Sequence, residues 1–110
     1  MQKLSVDAQA RELLAQAAGA PGGRAAQTVM GGHERVLRQT VIAMTQGSAL
    51  SEHANPGEGT VYVLRGRVRL ASGSEAWDGR DGDLLIIPDA PHSLLALQDS
   101  AVLLTVAKRS

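Results

Sequence analysis

The 110-residue chain has no cysteine and no phenylalanine, and Tyr62 and Trp77 are its only aromatic residues. Without cysteine, neither a disulfide nor a thiolate-held metal can contribute to stability or chemistry. Two rings do not make the stacking platform that single-stranded nucleic acid needs. Charge of one sign is also missing, because eleven Lys and Arg balance eleven Asp and Glu. The basic footprint that binds phosphate backbones is therefore absent, and no nucleic-acid partner is expected. No apolar run is long enough to span a bilayer, and Met1-Gln2-Lys3-Leu4-Ser5 lacks the apolar segment of a secretion signal. These absences predict a soluble cytoplasmic protein with no membrane partner.

What remains is a chain of one-domain length whose core must be built from Leu, Val, Ile and Ala. A chain of this size buries roughly two thirds of its unfolded surface, enough to fold without cross-links. Its first segment reads as a short helix. Ser5 is placed to cap the N-terminus, Asp7 falls in the first turn, and Ala8 to Ala18 is rich in helix formers. Val6, Ala10, Leu13, Leu14 and Ala17 recur at helical spacing and define an apolar face. Gly19-Ala20-Pro21-Gly22-Gly23 ends the helix. The face is expected to pack on the rest of the domain or on a second copy, since its polar side carries too little positive charge for a membrane surface.

From Ala25 the pattern turns to short strands: around Ala26–Met30, Val36–Met44, Thr60–Leu64, Arg67–Ala71, Glu75–Asp78, Leu84–Ile87, Ser93–Leu97 and Ala101–Val106. Turn signals separate them, among them Gly47, Gly66, Gly73 and Gly82. Short strands at this spacing predict an all-β antiparallel sandwich or barrel. We therefore divide the chain into an N-terminal helix and loop over 1–24 and a β domain over 25–110, together one domain. Arg67 and Arg69 alternate with Val68 and Leu70, which predicts a solvated face and a buried face on that strand. Tyr62 and Trp77 are assigned to packing, being the only large rings available to a core.

Two histidines stand in suggestive surroundings. His53 lies in Gly47-x5-His53-Ala54-Asn55-Pro56-Gly57-Glu58-Gly59, ahead of Val61-Tyr62-Val63-Leu64 and Gly66. His92 follows Gly82-Asp83-Leu84-Leu85-Ile86-Ile87-Pro88-Asp89-Ala90-Pro91. On these two segments the chain resembles the cupin superfamily, specifically its small single-domain members, over residues 36 to 106. That resemblance implies an antiparallel jelly-roll β-barrel with a central ligand cavity, in which many members hold a divalent metal through three histidines and a glutamate. Gly47, His53, Gly66, Gly82, Pro88 and His92 match the family's two motifs. Asn55 stands where the first motif has its second histidine, Gly59 where it has glutamate, and Ala90 where the second motif has glycine. Glu58 lies one place away from the glutamate position. If Val61 and Val63 line the barrel, period two turns Glu58 outward, unless a bulge at Gly57 or Gly59 shifts the register.

Two kinds of chemistry stay open on these residues. In one, a divalent metal ion is held by His53, His92 and Glu58, with water completing its shell. In the other, a metal-free pocket binds a small molecule through His53, Asn55 and His92, walled by Val61, Val63, Leu84 and Ile86 or their neighbours. The second class covers both an enzyme using histidine as acid or base and a regulatory module that only binds. His33, after Gly31-Gly32, is expected at the surface. The outward apolar residues predict a homodimer.

Overall fold

A computed structural model describes residues 1–53 and 57–108, the side chains at 52 and 53 excepted. Helix α1 spans Val6–Gly19. It starts where the Ser5 hydroxyl accepts a hydrogen bond from Ala8 N at 3.1 Å, satisfying one of the donors that a helix start leaves unpaired. A single 3-10 turn, Pro21–Gly23, leads into the first strand.

Nine strands follow: β1 Arg24–Met30, β2 Leu37–Met44, β3 Ala49–His53, β4 Gly57–Arg65, β5 Arg67–Ser72, β6 Glu75–Arg80, β7 Leu84–Ile86, β8 His92–Ala96 and β9 Ser100–Lys108. They form two antiparallel sheets, one ordered β1-β2-β9-β4-β7 and the other β3-β8-β5-β6. This is the all-β barrel with an N-terminal helix that the strand pattern predicts.

The apolar residues sort into two clusters on opposite faces of the five-stranded sheet. Between the sheets lie Ile42, Met44, Val61, Val63, Val68 and Leu70, with Ile87, Leu94 and Val102. On the outer face, Ala10, Leu13 and Ala17 of α1 pack on Val41, Ala43 and Ala101. Along β2 the two clusters alternate: Val41 and Ala43 face the helix, and Ile42 and Met44 face the barrel. Paired alanines under the helix let it approach the sheet closely. Its Leu13 then supplies the large buried side chain of that contact.

The β4–β5 turn shows how tightly one connection is built. Gly66 has φ +93°, and a Cβ there would collide with the Asp99 carbonyl oxygen and the Ser100 hydroxyl. Gly66 is thus required both for its backbone conformation and for the space it leaves. Ser100 is fully buried, and its hydroxyl accepts from Arg67 N at 2.9 Å while lying within reach of the Gln98 and Arg67 carbonyls. The start of β9 is thereby tied to the start of β5.

Three expectations need correction. β3, Ala49–His53, is a strand where the sequence suggested only a loop around His53. Tyr62 and Trp77 are not packed in the core but exposed, so the interior is aliphatic throughout the described residues. Leu84 and Ile86 also face out, while Leu85 packs against the core and Ile87 is buried within it.

Candidate functional site

β8 opens with His92, and the register of the four-stranded sheet sets His53, the last residue of β3, directly opposite it. Two residues 39 positions apart in sequence thus meet as one backbone pair. Asp89, Ala90 and Pro91 bring the chain round before β8, and the Ala90 carbonyl oxygen stands 3.0 Å from His92 Nδ1. A carbonyl only accepts, so Nδ1 carries the hydrogen of this contact. The side chain is buried, with 5% of the residue exposed.

His92 faces a small cavity between the sheets. The cavity has a volume of about 20 Å³ and is lined by this imidazole and eight aliphatic side chains, among them Ile42, Val61, Leu70 and Ile87. It offers roughly the space one water molecule occupies, far below the several hundred Å³ of a typical ligand pocket. Among the described residues the barrel interior is a packed aliphatic core with His92 at its edge. Of the walls expected from sequence, Val61 lines this cavity, and Val63 is buried in the same core without lining it. Ile87, the neighbour of Ile86, lines it as well, and Leu70 was missed as a wall. The alternation of Val68 and Leu70 with Arg67 and Arg69 was the signal that could have found Leu70.

The remaining candidates are placed as follows. Glu58 is exposed on β4, in step with exposed Tyr62 and out of step with buried Val61 and Val63. No bulge brings it inward, because the β4–β9 register runs unbroken from Gly57↔Lys108 to Val63↔Val102. Its expected role as a metal ligand beside His92 is therefore corrected: it points away from the cavity. The neighbouring position that does face inward is Gly59, and a Cβ there would stand 3.1 Å from Ile87 Cδ1 and 3.2 Å from the Thr105 carbonyl oxygen. The room a carboxylate arm would need at 59 is taken by Ile87. Asn55 lies outside the described residues, as does the His53 side chain. His33 is exposed in the connection between β1 and β2, as expected.

Whether these residues suit a divalent metal follows from the donor set. Among the described residues no three His, Cys, Asp or Glu side chains come together. The described side chains of one imidazole, His92, and one outward carboxylate, Glu58, do not make the three-ligand shell of a protein-held metal. The described residues do not fit such a site.

A larger depression of about 500 Å³ lies elsewhere, on the outside, around Gly66, Arg67, Asp78, Arg80 and Asp83. Its acidic groups are engaged in local structure. Asp81 accepts from Gly66 N at 2.7 Å, and Asp83 accepts from Arg80 N at 3.0 Å. Asp78 pairs with Arg69 at 2.7 Å, a hydrogen bond that holds its carboxyl below the usual carboxylate range. These contacts build turns and a hairpin face.

Two facing antiparallel sheets with this strand order define a small β-barrel of the jelly-roll kind, closed over an aliphatic interior. Solved structures share this fold. A cupin superfamily protein from Desulfitobacterium hafniense superposes with a TM-score of 0.71 at 15% identity, over 78% of each chain. An RmlC-like cupin from Desulfovibrio desulfuricans matches 97% of this chain and 91% of its own, with a TM-score of 0.67 and 21% identity. A conserved protein of unknown function from Streptococcus pyogenes matches at 25% identity and a TM-score of 0.72, over 79% of this chain and 75% of that one. No protein-family model and no curated protein matches the chain. The fold is that of these small cupin domains, which is the fold the two histidine segments lead one to expect. No helix among the described residues is long and apolar enough to cross a membrane.

Proposed function

We propose that this chain is a small-ligand-binding cupin that recognises its ligand through the His92 imidazole, without a metal held by three protein side chains. The observation that carries this reading is the burial of one imidazole at the edge of an aliphatic cavity, with Nδ1 turned to the Ala90 carbonyl. That hydrogen bond fixes how the ring sits at the cavity edge, and the matching ligand group is small and polar, such as a hydroxyl or an amide. The cavity admits about one small polar group. The ligand therefore reaches His92 with a single polar group and keeps its body at the end of the barrel where β8 begins. A fuller metal centre with His53, Glu58 and His92 is the weaker reading, because Glu58 faces solvent.

The test is a thermal-shift titration of the EDTA-treated protein with a panel of small hydroxyl- and amide-bearing metabolites, repeated with added Mn²⁺, Ni²⁺ or Zn²⁺. A ligand at a hundred times its Kd adds about 2.7 kcal/mol of stability, which such a titration resolves. Stabilisation should appear without metal and vanish in His92→Phe, which keeps an aromatic ring and removes both ring nitrogens. Binding that appears only with a divalent ion, or that survives His92→Phe, overturns the reading.

A further inference from the structure

Strand β5 runs one residue beyond its last pairing with β8, and that residue is Ser72. The register Leu70↔Leu94 and Ala71↔Ser93, carried one step further, brings Ser72 level with His92. Period two keeps Ser72 in step with Val68 and Leu70, the buried residues of β5. On its other side Ser72 pairs with Glu75 of β6 across the tight turn Gly73-Ser74. Ser72 is thus placed by its own hairpin, apart from the connection that leads into β8.

That connection is poor in main-chain donors. Ile87 N donates to the Gly59 carbonyl oxygen at 3.0 Å. Of the four residues between Ile87 and His92, Pro88 and Pro91 have no N–H to give. The Pro91 carbonyl oxygen accepts from the Ser72 hydroxyl at 2.8 Å. The carbonyl before it, that of Ala90, accepts from His92 Nδ1 at 3.0 Å. Between these two carbonyls the backbone has only two rotations, and the ring of Pro91 locks one of them near −65°. Holding the Pro91 carbonyl therefore restricts the Ala90 carbonyl, and with it the acceptor that orients the imidazole.

We propose that Ser72 is a positioning residue for His92: its hydroxyl holds the Ala90-Pro91 segment so that the imidazole keeps one orientation at the cavity edge. This role rests on the reading of His92 as the group that recognises the ligand. Ser72 acts before any ligand arrives. The backbone of His92 is already set by its pairing with His53, so the freedom left to fix is that of the ring. A ring held in place loses less rotational freedom when a ligand binds, and that saving appears as affinity. The expected contribution is on the order of fivefold in the dissociation constant.

The test is NMR of the full chain with ¹⁵N-labelled histidine, in the wild type, Ser72→Ala and Ser72→Thr. In the wild type the His92 Nδ1 proton, held by the Ala90 carbonyl, should exchange slowly and give a resolved downfield signal. Ser72→Ala should broaden or abolish that signal, and Ser72→Thr, which restores a hydroxyl, should keep it. Ser72 is half-buried at a hairpin end, so the urea midpoint of both variants should stay near that of the wild type. A serine that only closed the turn would move the midpoint and leave the ring signal alone. Acetamide then serves as a small amide probe: the dissociation constant read from the His92 ring shifts should rise about fivefold in Ser72→Ala and recover in Ser72→Thr. A wild-type ring without a protected Nδ1 proton overturns the proposal, as does a signal unchanged in Ser72→Ala or lost equally in Ser72→Thr. Equal acetamide affinity in the wild type and Ser72→Ala overturns it as well. A ring signal that depends on Ser72 while acetamide leaves His92 untouched upholds the positioning and counts against the ligand-binding reading instead.

Discussion

The outer face of the five-stranded sheet is divided into two halves that solve the same problem differently. Over β1, β2 and β9 the sheet carries small residues, Ala43 and Ala101 among them, and helix α1 lies on top. Over β4 and β7 it carries Tyr62, Leu84 and Ile86, which the described residues leave exposed. Small side chains mark the half covered from within the chain, because a helix backbone must come close. Large side chains mark the half left bare. The apolar residues that look like surplus in the sequence are concentrated where the described residues supply no lid.

The strongest way to break this contrast is to remove the lid's anchor. Leu13→Ala should destabilise the protein by about 3 kcal/mol in urea unfolding, the middle of the range for emptying a buried leucine site. If the covered half contributes little, the loss will fall below 1 kcal/mol. Ser5→Ala tests the same helix at its end and should cost about 1 kcal/mol through loss of the cap to Ala8 N. Ser5→Gly should cost only a few tenths, which separates capping from propensity.

The smallest effect is electrostatic and joins the lid to the bare half. Asp7 accepts a hydrogen bond from Arg65 of β4 at 3.0 Å and also pairs with Arg11, and the Arg65 contact is the chief cause that holds its carboxyl below the usual range. A carboxylate depressed on folding contributes stability that is fully present above its unfolded pKa and is lost as pH falls through the folded one. Stability measured down an acid series should therefore fall less steeply in Asp7→Asn than in the native chain. Added salt should shrink the difference, since the pair is exposed. Equal acid slopes would show that the Arg65 contact does not tether the helix.

Regular features of the fold were legible where the pattern was unambiguous. The helix face of Ala10, Leu13 and Ala17, the cap at Ser5 and the alternation of Arg67-Val68-Arg69-Leu70 were read correctly because each has a single period. Leu84-Leu85-Ile86-Ile87 has none. Four apolar residues in a row do not say which pair faces in, and the choice of Leu85 and Ile87 is made by pairing with β4. β3 was hidden because Ala49-Leu50-Ser51-Glu52-His53 is short and half polar, and its strand character comes from partner β8. The rings at 62 and 77 were misassigned by assuming that scarce aromatics go to the core. Tyr62 is turned out by its own strand parity, and Trp77 by its place on an edge. The meeting of His53 and His92 came from the family resemblance. That the space beside them is nearly full depends on volumes, which no pattern of residue types encodes.

Ile87 has a consequence for how this barrel can change. Because its side chain lies against Gly59, an acid introduced at 59 meets an occupied position, and shortening Ile87 alone leaves a void in the core. Each step by itself is penalised, and only the two together yield an inward-facing carboxylate. Acquiring such a group here is a coupled, two-site event, which makes the apolar form of the interior self-preserving against single substitutions.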